Sequence, residues 1–256
     1  MARQLYTARL TQKLLLSEPA QCFHLEFTVD EMERLDFLAG QFVSTVACDG
    51  NGKQQTRAYS IASAPRANQF DLCVNRVEGG FFSNRLCDLE IGQKVEFHGP
   101  HGLFTLRNPM TDGIFIATGT GVAPMRSFVQ WLFPASGEDL SEGRQFWLVY
   151  GTRHETELYY RNYFEKVAAE HPNFHYMSTL SRPRPDWEGT KGYVQELVGK
   201  IAEEHGKKLA DASAPLSGVF PIYAYICGLN DMVSANRERL MSLGWQKKQV
   251  IFERYD

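Results

Sequence analysis

From Gln4 to about Phe104 the hydrophobic positions fall into short β-rich runs, at roughly 4–16, 22–29, 41–48, 57–62, 69–77 and 93–99, broken by Gly, Asn, Asp and Pro. Six runs at that spacing predict a β-barrel or sandwich. One helix is expected among them, at 82–89, where Phe82, Leu86 and Leu89 share a face at the spacing of helical turns. After the loop 107–113 the rhythm changes. Apolar strands at 113–118, 145–150, 174–180 and 221–227 precede amphipathic stretches at 122–133, 155–170, 192–204 and 229–242, and a last strand follows at 249–254. Strands separated by helices pair in parallel, because parallel neighbours need crossover connections. The polar stretch 206–218 reads as a surface loop. The expected architecture is therefore two-domain: an N-terminal antiparallel β-barrel over residues 1–106 and a C-terminal α/β domain with a parallel sheet over 107–256. In such a sheet ligands bind beyond the carboxyl ends of the strands, here at Thr118–Gly121, Gly151–His154, Ser181–Arg184 and Cys227–Asn230.

Composition narrows the chemistry. Lys plus Arg number 27 and Asp plus Glu 30 in 256 residues, a formal charge of −3, so neither nucleic acid nor an anionic membrane is an expected partner. No stretch reaches the roughly 18 apolar residues of a membrane span, and the first ten residues lack the apolar core of a secretory signal, so the expected location is cytoplasmic. The five cysteines, Cys22, Cys48, Cys73, Cys87 and Cys227, form neither a C-x-x-C pair nor the C-x4-C-x2-C run of a ferredoxin, and the histidines form no H-E-x-x-H. No protein-held metal is expected; redox or transfer chemistry here calls for an organic cofactor.

Several short motifs sit where such a cofactor would be held. On a barrel strand, Arg57 and Tyr59 alternate with Ala58 and Ser60, so a cation and a ring share one face and a small residue and a hydroxyl the other. Alone, these are also ordinary strand residues. Gly79-Gly80 feeds a helix start that contains Phe82 and Ser83, where unpaired backbone N–H groups either hold a phosphate or simply cap a helix. Gly119-Thr120-Gly121 follows the first strand of the α/β domain and opens a helix, with Pro124 where the third glycine of G-x-G-x-x-G would stand. Arg153 ends the second strand of that domain. Ser181 and Arg182 end the third, near Arg184 and Lys191 and with no acid before Asp186. Arginine and hydroxyl donors suit a ribose 2′-phosphate, whereas a bare ribose is commonly held by a carboxylate, so NADP is preferred to NAD. Cys227 ends the fourth strand, and Glu253 and Tyr255 lie two apart on the last.

Taken in order, RAYS at 57–60, GGFFSNRL at 79–86, GPHG at 99–102, GTGVAP at 119–124, GTRHETELYY at 151–160, SR at 181–182, CG at 227–228 and the final ERYD resemble the ferredoxin–NADP reductase family, and its bacterial branch more than its plastid branch. The resemblance implies an FAD-binding barrel and an NADP-binding α/β domain. It implies that Arg57 and its neighbour Ala58 lie along the FAD pyrophosphate, that Tyr59 and Tyr255 cover the two flavin faces, and that Ser60 stands near flavin N5. Gly80, Phe82 and Ser83 would complete the phosphate cradle; Thr120 and Gly121 would approach the NADP pyrophosphate; Arg153, Ser181 and Arg182 would hold its phosphates. Cys227 would pack on the nicotinamide and Glu253 would polarise the site or relay protons. One departure is that Tyr255 is followed by Asp256 rather than ending the chain, as the stacking tyrosine does in the plastid branch.

The implied activity moves electrons between NADPH, as hydride, and a one-electron carrier, ferredoxin or flavodoxin, with the enzyme a monomer. Two alternatives stand beside it: the reductase component of an oxygenase system, and a sensor that binds flavin without turning over.

Overall fold

A computed structural model describes residues 4–210 and 220–255, with the side chains of 205–210 left aside. The N-terminal strands are β1 (Tyr6–Ser17), β2 (Cys22–Val29), β3 (Phe42–Cys48), β4 (Gln54–Ser60), β5 (Gln69–Asn75) and β6 (Lys94–His101), with helix α1 (Phe81–Asp88) between the last two. They form one antiparallel sheet in the order β4-β3-β6-β1-β2-β5. An antiparallel bridge from Ile61, just past β4, to Leu72 on β5 joins the two edges and curls the sheet into a barrel. Bulges between Leu10 and Gln12 and between Leu15 and Ser17 bend the long strand β1 so that it can pair with both β2 and β6. Leu10, Leu25, Phe27, Phe70, Leu72 and Phe97 point inward and are essentially without solvent contact. The rings of Phe27 and Phe70 stack at 5.3 Å. Leu86, Cys87 and Leu89 bring α1 and the turn after it onto this core, and the Lys13 ammonium donates to the Cys87 and Leu89 carbonyls at 2.6 and 3.1 Å, closing the end of α1.

The second sheet holds β7 (Asp112–Thr118), β8 (Phe146–Thr152), β9 (Phe174–Leu180), β10 (Thr190–Lys191), β11 (Ile222–Leu229) and β12 (Val250–Tyr255). It is parallel throughout, in the order β10-β9-β8-β7-β11-β12. Its helices are α2 (Val122–Leu132), α3 (Arg161–Glu170), α4 (Val194–Ala210) and α5 (Asn230–Ser242). β7 and β11 are nearly continuous apolar runs because the middle of the sheet is covered on both faces. The chain winds outward from β7 through β8 and β9, then returns to the other side of β7 as β11, so the direction of winding reverses between β7 and β11. That reversal is where an open α/β sheet leaves a crevice for a ligand.

The expected strands and helices are present, with differences at their borders. The stretch 155–170 is a single 3-10 turn, Glu155–Glu157, followed by α3; Tyr160, at φ +61°, breaks it. The loop expected at 206–218 begins as helix, since α4 runs to Ala210 through residues with good helix propensity; positions 211–219 lie outside the described residues. The short strand β10 was not anticipated.

The chain separates into two compact units, residues 1–105 with 123–135 and residues 106–122 with 136–256, so most of α2 groups with the barrel. Polar contacts account for this. Arg126 on α2 bonds Asp71 of β5 at 3.0 Å and the Ala62 carbonyl at 2.6 Å; the Ser127 hydroxyl donates to the Ser63 carbonyl at 2.6 Å; the Gln130 side chain accepts the Ala64 N–H at 3.0 Å. Asp71 is wholly buried, and its second oxygen receives Arg66 at 2.5 Å. His24 and Glu26 complete the group of side chains around Asp71. Burial is the largest influence on His24 and lowers its pKa. Removing Arg126 leaves the buried Asp71 with the half-exposed Arg66 alone and takes away the donor to the Ala62 carbonyl. Arg126→Ala should therefore lower the unfolding free energy by about 3 kcal/mol in urea titration, whereas Arg66→Ala, at a half-exposed pair, should cost less than about 1 kcal/mol.

Candidate functional site

In the barrel unit, β4 lies in register with β3: Arg57 opposite Thr45, Ala58 opposite Ser44, Tyr59 opposite Val43 and Ser60 opposite Phe42. Arg57 and Ala58 are exposed. The Tyr59 ring packs against the barrel core, and burial pushes its phenol pKa well up, so the ring stays neutral. Ser60 is 6% exposed. Its position is fixed from just beyond, where the Ile61 N–H bonds the Gln41 carbonyl and the Ala62 N–H the Asp71 carbonyl, at 2.9 and 2.8 Å.

At the start of α1, the Ser83 hydroxyl accepts the Val77 N–H at 3.2 Å. That leaves its proton for another acceptor, beside first-turn N–H groups that have no partner within the helix. A Cβ on Gly80 would stand 2.5 Å from the Ser83 oxygen, so glycine permits the arrangement. Phe82 is buried, its ring edge-on to Phe81, and so braces the helix from behind.

In the other unit, Gly119–Gly121 forms a 3-10 turn off the end of β7 and leads directly into α2. A Cβ on Gly121 would lie 2.2 Å from the Cys227 carbonyl oxygen, so only glycine lets the turn sit against the end of β11. Gly119, at φ +53°, faces open space where a side chain would stand. These two glycines and the intervening Thr120, expected to receive a pyrophosphate, present bare backbone before a helix start, with open space at Gly119. The Tyr150 hydroxyl lies 3.0 Å from the carbonyls of both Gly119 and Glu157 and ties this turn to the loop beyond β8.

Arg153, Ser181 and Arg182 come together. The Ser181 N–H bonds the Thr152 carbonyl and the Arg182 N–H the Arg153 carbonyl, each at 2.9 Å, so the ends of β8 and β9 advance side by side. Among the described residues no carboxylate lies within 4.0 Å of the Arg153 or Arg182 guanidinium, whereas Arg184 pairs with Glu155 and Asp186. Two further groups belong to this corner. Lys191 lies in register with Leu180, and Tyr193 follows with its ring 67% exposed. Lys191 was visible beside the arginines in the sequence; Tyr193 was missed, and its only signal was a Gly-Tyr pair after a basic residue. A cavity of about 550 Å³ on the flank of the same loop is lined by Tyr176, Trp187 and Arg161, but Glu155, Asp186 and Glu188 also line it, which makes it a poor phosphate site.

Cys227, in register with Glu253, is wholly buried. Burial drives its thiol pKa strongly up, the Glu253 charge adds to that, and a hydrogen bond with Tyr255 opposes it. Cys227, Glu253 and Tyr255 thus meet at the reversal point next to Gly121, with Glu253 and Tyr255 half-buried. Asp256 lies outside the described residues.

The fold is an antiparallel barrel followed by a parallel sheet with a glycine turn at its reversal point, and the family matches make it a flavin- and nicotinamide-nucleotide-dependent oxidoreductase. Residues 7–106 match the family described as oxidoreductase FAD-binding domain, and residues 115–238 the oxidoreductase NAD-binding domain. A ferredoxin–NADP reductase B of Sorangium cellulosum is 40% identical over 251 residues, 95% of this chain and 96% of that protein. The reductase component of a Pseudomonas phenol 2-monooxygenase is 33% identical over 86% of this chain and 58% of its own length. A Plasmodium falciparum ferredoxin–NADP+ reductase solved with 2′P-AMP shares the fold at a TM-score of 0.79 and 23% identity, over 98% of this chain and 96% of that one. The chain belongs to the ferredoxin–NADP reductase family, and its cofactors are FAD and NADP(H).

The burial of the thiols yields a direct check. Of the five cysteines only Cys48 is exposed. A thiol reagent at pH 8 should label one cysteine rapidly in the native protein and all five in denaturant, with Cys227 silent because its raised pKa keeps it protonated there. Rapid native labelling of Cys227 would contradict the burial described.

Proposed function

We propose that this enzyme carries electrons between NADPH and ferredoxin, or a flavodoxin in its place, as a cytoplasmic monomer. What supports it most is the convergence, at the carboxyl ends of β7, β8, β9 and β11, of a glycine turn, an arginine–serine cluster and a buried thiol, in a chain 40% identical to a ferredoxin–NADP reductase. Residues 1–106 take the FAD role in this reading and 107–256 the NADP role, α2 being shared by chain order.

Bound FAD supplies the ability to accept a hydride as an electron pair and release the electrons one at a time. The chain's own groups bind, orient and shield. Arg57 and Ala58 border the FAD pyrophosphate with Gly80, Phe82 and Ser83 at the α1 start, and Tyr59 offers a neutral ring for stacking. Ser60 presents its hydroxyl from a strand end fixed by Gln41 and Asp71. Thr120 and Gly121 receive the NADP pyrophosphate on backbone N–H groups. Arg153, Ser181 and Arg182 hold the 2′-phosphate, with Lys191 adding charge and Tyr193 a flat surface for the base. Cys227, kept as a neutral thiol, gives the nicotinamide an apolar wall, and Glu253 holds or passes a proton. Tyr255, hydrogen-bonded to Cys227, shields the thiol and would offer a second ring for stacking. Hydride transfer needs donor and acceptor held near contact with water kept out, which is the work of these groups.

The relative in the phenol 2-monooxygenase system favours a second reading, in which the acceptor is an oxygenase partner. Comparing ferredoxin and flavodoxin with oxygenase components as acceptors separates the two.

The purified protein should be yellow and bleach under anaerobic NADPH far faster than under NADH; a colourless protein that takes up no FAD would refute the proposal. Replacing either Arg153 or Arg182 by Ala should raise the KM for NADPH roughly ten- to hundredfold, the loss of one charge-assisted phosphate contact, with little change for NADH. Equal effects on both nucleotides would remove these residues from the 2′-phosphate site.

A further inference from the structure

We infer that His154 is a proton-dependent ligand of the ribose 2′-phosphate, so that the preference for NADPH over NADH grows as pH falls; this rests on the 2′-phosphate site proposed above. The backbone of His154 is pinned from three sides. Its carbonyl accepts the Thr152 hydroxyl at 2.9 Å and the Glu157 N–H at 3.0 Å, and its own N–H points to the Glu157 carboxylate at 3.4 Å. The imidazole is placed as well, because its Nδ1 lies 2.9 Å from the Arg182 carbonyl oxygen. That carbonyl belongs to the residue whose N–H bonds the Arg153 carbonyl, so the ring stands on the seam between the ends of β8 and β9.

The partner decides the tautomer. A carbonyl only accepts, so Nδ1 carries a proton, and Nε2 is left to face solvent or ligand from an exposed side chain. Neutral His154 therefore offers a lone pair at Nε2, whereas its imidazolium offers an N–H and a positive charge. A phosphate, whose oxygens accept hydrogen bonds, matches only the second form. Binding it draws a proton from solvent onto His154, and by reciprocity a lower pH strengthens binding.

The surrounding charges sharpen this exchange. Arg153 precedes the ring in the chain and Arg182 supplies its carbonyl partner, so both oppose a third positive charge until a dianion arrives among them. Lys191 of β10 adds to the same side. The nearby acids are already engaged: Glu157 by the Arg153 and His154 N–H groups, Glu155 by Arg161 of α3 and by Arg184, and Asp186 by Arg184.

Isothermal titration of the FAD-loaded protein with 2′P-AMP, in buffers of different ionisation heat, counts the protons exchanged, with 5′-AMP as the control. Between pH 6 and 8 the unaltered protein should take up protons with 2′P-AMP and none with 5′-AMP. Arginine contacts on a phosphate release protons from it, so uptake marks a protein group. His154→Gln, which keeps a donor for the Arg182 carbonyl, should lose the uptake. Its Kd for 2′P-AMP should exceed that of the unaltered protein about fivefold at pH 6 and match it at pH 8, the effect of one exposed charge pair. His154→Arg, charged throughout, should keep the tighter binding at both. A purely structural histidine would instead weaken both nucleotides by a factor independent of pH. No proton uptake in the unaltered protein, or a Gln-variant ratio that does not vary with pH, would overturn the role of His154 and leave the 2′-phosphate site standing. If 2′P-AMP binds no more tightly than 5′-AMP, that site itself falls, and this role with it.

Discussion

A carboxylate without solvent contact, Asp71, holds the barrel unit to its purpose. It is buried and answered by Arg126 and Arg66, and its backbone carbonyl takes the Ala62 N–H. Through these bonds one residue fixes two things: the chain just beyond Ser60, and the helix that rises from the Gly119–Gly121 turn. A buried ion pair adds little net stability compared with a well-packed apolar pair, but it admits few alternative geometries once both charges are committed. In the function proposed, Ser60 would need that kind of restraint, because a hydroxyl serves a reaction only from one position.

The second constraint is steric. Gly121 and the Cys227 carbonyl are so close that no side chain fits between them. This brings the glycine turn against the strand that carries the buried thiol, and the parallel register then sets Glu253 beside that thiol. The glycine turn and the end of β11 are thereby parts of one packed object, and a substitution at Gly121 is transmitted to β11 through hard contact.

Much of this was legible in the order of residues, for identifiable reasons. Strand periodicity marked both sheets, through the alternation of buried and less buried positions along β2 and the continuous apolar runs of β7 and β11. The glycine turn, the Arg153, Ser181 and Arg182 cluster and the Cys227–Glu253–Tyr255 group all lie at strand ends, where position along the chain predicts position in space. What was hidden depends on long-range partners. Asp71 looks like a routine polar residue in QFDLCVN, and nothing local says that it is buried or that its partner lies 55 residues onward. The membership of α2 with the barrel, the bond from Tyr150 to the Gly119 turn and the bond from His154 to the Arg182 carbonyl are of the same kind. The extension of α4 was missed for the opposite reason: Gly206 and the lysines after it resembled a loop, although Lys207, Lys208, Leu209 and Ala210 are good helix formers.

The division of α2 between chain order and packing bears on how such proteins could be recombined. A cut at the linear border near residue 106 would strip the barrel of the helix that neutralises its innermost acid. Grafting a foreign nucleotide module after that point would succeed only where the incoming first helix brings a guanidinium to the place of Arg126. The two halves are therefore not free modules in inheritance or in engineering: a cation encoded on one side of the seam joins Arg66 in answering the buried acid of the other.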